Sequence, residues 1–331
     1  MTRYLAIFNV LGPVIVVFGL SGLLPLAISH GLADGAEFAF DQSIVATVAV
    51  GLALWLGTRR FRRELAVRDG FLFVALTWTL IPALATLPLL IFLADMTFTD
   101  AYFETVSGLT TSGATVLSNL DQLPPSLNVW RAQLVWMGGM GVVVLAVAIL
   151  PLLGVGGSQA FRAETPGPMK DTKLTPRIAE NAKGLWLVYF IITTACFFAY
   201  RAAGMTWLDA LIHSFSTMGL GGFSSHDASF GYFASARIEA VAIVFMLIAS
   251  LNFATHFLAF RRRTLQPYRH DPEAGWVLLT LVASVLLIAI FLSVNSTYAS
   301  FAEALRHAAF NVVSIATTTG FASVDYNLWP I

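Results

Sequence analysis

Seven apolar runs punctuate the chain at lengths that cross a bilayer or come close to it, a crossing taking about 20 residues. They are Tyr4–Ile28, Ile44–Gly57 (beginning nearer Phe38), Gly70–Leu93, Val129–Leu153, Leu185–Arg201, Ile238–Phe260 and Gly275–Val294. Three further apolar stretches, Ala101–Leu109, Leu208–Met218 and Ala302–Ala316, are too short to cross, and each runs into a Gly/Thr/Ser segment. Irregular polar backbone persists at membrane depth only inside protein or along a water-filled path. These stretches therefore read as short helices leading into re-entrant loops, within an all-α polytopic membrane protein. The first run exceeds the roughly 7–15 residues of a signal-peptide core, and no small-residue cleavage site follows it, so it reads as a spanning helix.

Charge placement tests this topology. Arg3, five Arg from Arg59 to Arg68, five Lys or Arg from Arg162 to Lys183, and four Arg from Arg261 to Arg269 fall on one side. That holds if the seven runs cross and the three short stretches return. Asp34, Glu37, Asp41, Asp95, Asp121 and Asp227 fall on the other. The positive-inside rule then puts the N-terminus and the basic loops in the cytoplasm. Composition agrees: 57% of the residues are hydrophobic and 11% charged, with mean hydropathy +0.76. Soluble domains carry about 25% charged residues, so a soluble enzyme, a disordered chain and a coiled coil are excluded. Net charge is zero, which gives no electrostatic reason to expect nucleic acid. The single Cys196 has no partner for an internal disulfide and reads as a small apolar filler.

The three loops repeat one another. Aligned on one glycine they read Thr110-Thr111-Ser112-Gly113, Gly219-Leu220-Gly221-Gly222 and Thr317-Thr318-Thr319-Gly320. A serine stands six residues before each glycine (Ser107, Ser216, Ser314), and the last two loops share Gly-Phe-x-Ser-x-Asp through Asp227 and Asp325. The unit is helix, re-entrant loop, helix. It divides the chain into two N-terminal helices with a basic loop (1–69), a first repeat (70–153), a cytoplasmic linker (154–184), a second repeat (185–260), a basic loop (261–274) and an incomplete third repeat (275–331).

Such a unit suits a cation filter. Carbonyl oxygens must replace the water shell of the ion, and glycine lets the backbone approach the axis. Thr and Ser hydroxyls can add oxygens or brace the loop. Each short helix points its C-terminal, negative end at the filter. Asp100, Glu104, Asp209, Asp227 and Asp325 stand where they would concentrate cations at the outer mouth. The competing reading is that small residues serve only helix packing, as in a non-conducting membrane scaffold or enzyme.

The segments SGLTTSGATV (Ser107–Val116), STMGLGGFSSHD (Ser216–Asp227) and VSIATTTGFASVDY (Val313–Tyr326) resemble the filter loops of the TrkH/KtrB/HKT superfamily of potassium transporters, nearest its TrkH branch. The resemblance covers essentially the whole chain. It implies four repeats around one pseudo-fourfold pore, of which three filter loops are present. It implies uptake of K+ as the transported ion, with no organic cofactor. The ion would bind the backbone carbonyls of Thr111, Ser112, Leu220, Gly221, Thr318 and Thr319. Glycine at position 113, where relatives with serine tend towards sodium, points to potassium, with a sodium-permeable or sodium-coupled transporter as the alternative. The resemblance also implies a homodimer in the lipid of a bacterial inner membrane, with a cytoplasmic nucleotide-binding ring of the TrkA type. Repeat spacing places a fourth glycine roughly 100 residues beyond Gly320. The chain reading therefore expects a fourth repeat beyond Ile331, or completion by a second polypeptide.

Other polar residues carry milder expectations. Arg131 and Arg237, each starting a helix after a loop, are expected to snorkel to the interface, with anchoring the filter as the alternative. Arg306 is expected to pair with Glu303. His213, Glu104 and Asn311 stand nine residues before the three glycines and read as hydrogen-bonding supports. Gly138–Gly141 reads as close helix packing and Gly154–Gly157 as a helix terminator. No nucleophile–base arrangement or paired carboxylate suggests catalysis.

Overall fold

The structure, a computed structural model, describes residues 2–61, 67–141 and 178–330, and the described residues form helices, turns and loops without a strand. In chain order the helices are α1 (Thr2–Ser21), α2 (Leu23–Leu32), α3 (Glu37–Thr58), α4 (Val67–Ala85), α5 (Leu87–Phe92), α6 (Phe98–Leu109), α7 (Pro125–Gly139), α8 (Ile178–Ala203), α9 (Trp207–Gly219), α10 (Ala236–Ser250), α11 (Phe253–Arg262), α12 (Gln266–Arg269), α13 (Pro272–Val294) and α14 (Phe301–Ala316). Packing divides the chain into two compact units. One comprises Met1–Leu109, Pro124–Trp130 and Met140–Trp186; the other comprises Thr110–Leu123, Arg131–Gly139 and Leu187–Ile331.

In the first unit, α1 and α3 cross with their backbones in contact. A Cβ at Gly12 would lie 2.7 Å from Gly51 O, and one at Gly51 would lie 2.8 Å from Gly12 O. Without side chains at the crossing, dispersion contacts run along the full helix surfaces, which is how helices associate in lipid. The α4–α5 span is interrupted ahead of Pro88, which cannot donate a backbone hydrogen bond. The Ala85 carbonyl at that interruption accepts from Trp130 Nε1 at 3.1 Å. Further up α4, the carbonyls of Thr79 and Pro82 accept from Tyr102 Oη (3.2 Å) and Thr105 Oγ1 (2.9 Å) of α6. The turn between α2 and α3 is knotted by Asp34, which accepts from Ser29 Oγ, Ala36 N and Ser126 N. Burial opposes the ionised form of Asp34, but these hydrogen bonds prevail and hold its pKa below the ordinary value.

In the second unit, α13 and α14 form an antiparallel pair around Ala289, Leu292, Ala304 and Ala308, closed by Tyr298 and Trp329. Small residues on both faces again permit close approach. The short helices α6, α9 and α14 would extend about 18, 20 and 24 Å at 1.5 Å per residue, short of a hydrocarbon core of about 30 Å.

Among the described residues, five helical segments are long and apolar enough to cross a membrane: Tyr4–Leu32, Glu37–Phe61, Asp69–Phe92, Lys183–Ala203 and Glu273–Val294. The expected span Ile238–Phe260 passes the same test only as two helices taken together. It is broken, with Ala236–Ser250 and Thr255–Arg262 meeting at 95°. Leu251 leaves the helix in an extended conformation. His256 Nε2 then takes the Ile248 carbonyl at 2.9 Å, and Asn252 O receives Thr255 N, so the freed backbone groups find partners across the bend. The second half of the expected span Val129–Leu153, and the Gly154–Gly157 segment, lie outside the described residues.

Candidate functional site

Each short helix begins with a side-chain cap. Thr97 Oγ1 accepts from Asp100 N (3.2 Å), Thr206 Oγ1 from Asp209 N (3.0 Å) and Ser300 Oγ from Glu303 N (3.2 Å). Thr97 and Thr206 also donate to the Asp100 and Asp209 carboxylates, at 2.7 and 2.6 Å. This is the Ser/Thr-x-x-acid arrangement that satisfies the free amides of a helix start. The pattern stands in the sequence at all three sites and was open to being read there as a helix-start signal. Asp100 and Asp209 thus have a local task in addition to the expected one at the mouth.

The helices also end alike. In α9 the amide of Gly221 bonds Ser216 O (3.1 Å) and that of Leu220 bonds Thr217 O (3.2 Å). In α14 the amide of Thr319 bonds Ser314 O (2.8 Å) and that of Thr318 bonds Ile315 O (3.0 Å). These are paired Schellman bonds, which require a left-handed residue just past the helix. Leu220 (φ 52°) and Thr318 (φ 63°) supply it, and Thr111 (φ 57°) has the same conformation at the corresponding place. In the second and third segments the serine six residues before the glycine therefore supplies the carbonyl on which the chain reverses. Two residues later Gly113 (φ 77°), Gly222 (φ 65°) and Gly320 (φ 88°) are left-handed again. Non-glycine residues seldom adopt this conformation, and three at one repeated position indicate backbone held by its surroundings.

The three segments meet. A Cβ at Gly113 would lie 2.5 Å from Gly221 O and 3.6 Å from Thr319 O, one at Gly221 would lie 3.2 Å from Thr111 Cα, and one at Gly222 would fall on Thr319 O. Around this meeting point, Thr110 and Ser112 are exposed, while Thr317 and Thr319 are buried. Thr317 Oγ1 and Thr319 Oγ1 bond each other at 2.8 Å, so these hydroxyls brace the loop. Gly219 ends α9 against α7: its Cβ would lie 2.5 Å from Val135 O, and one at Gly139 would lie 2.6 Å from Gly219 Cα.

Arg131 is buried, 1% exposed, and does not snorkel. Its Nη2 donates to Thr115 Oγ1 (3.1 Å) behind the first segment and its Nη1 to Ser224 O (3.3 Å) behind the second. The guanidinium lies 4.5 Å from the Phe223 ring centroid. A planar fork that bonds two loops and stacks on a third group keeps Arg in the protein, whereas an interfacial site would leave those acceptors unserved. Arg306 pairs with Glu239, not Glu303: Nε and Nη2 reach the two carboxylate oxygens at 2.7 and 2.6 Å, tying α14 to α10. Glu239 is buried and one helical turn inside α10, where a two-pronged bond is available. Arg237 stays exposed.

His213 and Asn311 sit behind the second and third segments. His213 Nδ1 donates to Asp209 O (2.8 Å) and its Nε2 meets Ser224 Oγ (3.0 Å). Asn311 Nδ2 donates to Ser323 Oγ (3.1 Å) and its Oδ1 accepts Ser323 N (3.3 Å). Glu104, at the same offset in α6, is buried. Of the other acids, Asp227 and Asp325 are exposed and line one open cleft of about 490 Å³. Asp227 Oδ2 accepts Leu120 N at 2.9 Å, and Asp325 Oδ1 accepts Asn327 N at 3.0 Å. His226, which has no metal-ligand spacing in the sequence, is found between Asp121 and Asp209.

The TrkH family, described as "Cation transport protein", matches residues 36–331. The Trk system potassium uptake protein TrkH of Halomonas elongata is 49% identical over 98% of this chain and 67% of its own length. The protein of that name from Escherichia coli K12 is 43% identical over 99% of this chain and 68% of its own. The crystal structure of the potassium transporter TrkH from Vibrio parahaemolyticus superposes with a TM-score of 0.87 at 41% identity, covering 99% of this chain and 67% of that one. Glycine-bearing segments that end capped short helices and meet backbone to backbone are thus carried by a chain that belongs to the TrkH cation transport family.

Proposed function

We propose that this chain forms three of the four walls of a potassium-selective pore in a bacterial inner membrane, as the pore-forming subunit of a Trk-type uptake system. The observation that carries the reading is the meeting of the segments at Gly113, Gly221–Gly222 and Thr319, where added Cβ atoms would strike backbone oxygens of the neighbouring segment. Backbone this close presents carbonyls, not side chains, to the space between the segments. The oxygens of Thr111, Ser112, Leu220, Gly221, Thr318 and Thr319 replace the hydration of K+. The C-terminal ends of α9 and α14, with their partial negative charge, back the second and third segments. Asp227 and Asp325 in their shared cleft, with Asp209 at the start of α9, raise the local cation concentration on the outer side.

The N-terminus and basic loops lie in the cytoplasm by charge asymmetry. There they offer a face for the nucleotide-binding TrkA-type ring, and two copies associate in the lipid. The chemistry is conduction and carries no catalytic step.

The test uses the chain bearing all four expected repeats, in cells lacking other potassium uptake. Gly113→Asp or Gly222→Asp abolishes rubidium uptake while membrane insertion stays normal, because a carboxylate side chain at a left-handed, backbone-contacting position closes the path. Rubidium uptake at the wild-type rate by either inserted variant would remove that glycine from the filter.

A further inference from the structure

His226 follows the second glycine segment and sits between two carboxylates from different parts of the chain. Its Nδ1 contacts Asp121 Oδ1, in the short turn Leu120–Gln122 that follows the first segment. Its Nε2 lies 3.1 Å from Asp209 Oδ1, in the first turn of α9. The side chain is only 12% exposed, and its ring stacks face to face on Tyr232 with centroids 3.5 Å apart. Asp121 Oδ2 also accepts from the amide of Asp227, and Asp227 Oδ2 accepts from the amide of Leu120. The outer ends of the first two segments are therefore joined by a reciprocal backbone clasp with His226 at its centre.

A neutral imidazole has one N–H and can donate to one carboxylate only, turning a lone pair on the other. Only the imidazolium donates to both. Resting on the filter reading above, we propose that His226, as an imidazolium between Asp121 and Asp209, is the positioning residue that sets the spacing of the first two glycine segments, and that alkaline external pH loosens cation binding by removing its proton.

The other ionisable groups facing it are consistent with this. Asp227, its chain neighbour, adds a further negative charge on the same side. His213 of α9 stacks parallel at 6.4 Å but directs its own nitrogens to Asp209 O and Ser224 Oγ. Tyr232 contributes its ring face. Burial would lower the His226 pKa, but hydrogen bonds and charge from Asp209 and Asp121 prevail and raise it above the ordinary 6.5. Burial works against the ionised Asp209, yet its bonds to His226, Thr206 and Ser225 bring its pKa down to about 2. The sign follows. The histidine contribution is fully present below about pH 6.5 and is lost as pH rises through the raised folded value. The Asp209 contribution is present above about pH 4 and is lost only as pH falls towards 2.

The experiment measures rubidium uptake by the four-repeat chain at external pH from about 6 to about 9, together with thermal unfolding of the purified protein over the same range. The wild-type KM is expected to rise roughly fivefold across that range at little change in maximal rate. His226→Gln should show the high KM at every pH, and His226→Arg, which keeps a charge, should show no pH dependence. The wild type should melt above His226→Gln at pH 6, with the gap closing towards pH 9. Asp121→Asn, which removes one carboxylate and keeps the histidine, should shift the wild-type KM transition to lower pH. A wild-type pH profile retained by His226→Gln would overturn the proposal. So would a melting gap with no accompanying change in KM, which would leave His226 a stabilising residue and the filter reading intact. Transport by Gly113→Asp would instead strike the filter reading, and the melting comparison would still stand.

Discussion

Arg131 shows how one buried side chain can brace two loops. Its guanidinium serves the Thr115 hydroxyl of one segment and the Ser224 carbonyl of the next and is covered by Phe223. Removing a charged donor from the buried Ser224 carbonyl costs roughly 2 kcal/mol, whereas the exposed Thr115 hydroxyl can turn to water. Arg131→Met, which keeps the volume of the stem, should lower the melting temperature and raise inhibition of rubidium uptake by sodium, because both segments lose their common brace. Arg131→Lys should recover little, since an ammonium cannot reproduce the fork. Full recovery by lysine would show that charge alone matters here. The sequence placed Arg131 at the start of a helix after a loop but contained nothing to distinguish an interfacial arginine from a buried one. Its acceptors lie 16 and 93 positions away.

At the scale of elements, the short helices are defined at both ends by local chemistry, whereas their mutual attachment is not local. The bridge from Arg306 in α14 to Glu239 in α10 is asymmetric: the Glu239 side chain is 3% exposed and that of Arg306 is 34%. Arg306→Ala strands a buried carboxylate, whereas Glu239→Ala leaves a guanidinium that water can reach. The first should cost about 3 kcal/mol and the second nearer 1. Glu239→Ala combined with Arg306→Ala should be more stable than Arg306→Ala alone. Thermal unfolding of the three variants decides this, and equal losses from both single substitutions would argue that solvent access does not set the balance. The expected Arg306–Glu303 pair rested on proximity along one helix. Tertiary packing offered a better acceptor, and two-pronged geometry favoured it.

For the whole molecule, the proposed filter assigns selectivity to backbone oxygens of several segments and not to any one residue. A side chain at position 113 must act on a neighbour, since its Cβ would lie 2.5 Å from Gly221 O, and φ of 77° disfavours it as well. Gly113→Ser should therefore disturb the second segment together with the first and shift competition for rubidium uptake from potassium towards sodium. Unaltered potassium-over-sodium competition in an inserted Gly113→Ser protein would separate this glycine from selectivity. Much of this architecture was legible beforehand. Long apolar runs announce membrane spans because lipid tolerates little else, and the threefold Gly/Thr/Ser pattern marks equivalent loops. Among the described residues, the apolar run Ile238–Phe260 bends by 95°, and His256 satisfies a carbonyl that the bend frees.

The amino-acid order alone determined what depends on near neighbours and solvent: which segments are apolar, where short helices start and stop, and which glycines recur. Capping, chain reversal and transfer into lipid are decided over a few residues, so their signals survive in a linear reading. Only the tertiary structure decided which segment abuts which, that Arg131 lies inside, that Arg306 chooses Glu239, and that His226 finds Asp121 across 105 positions. Those choices are made by distance and desolvation in three dimensions, which no local pattern encodes.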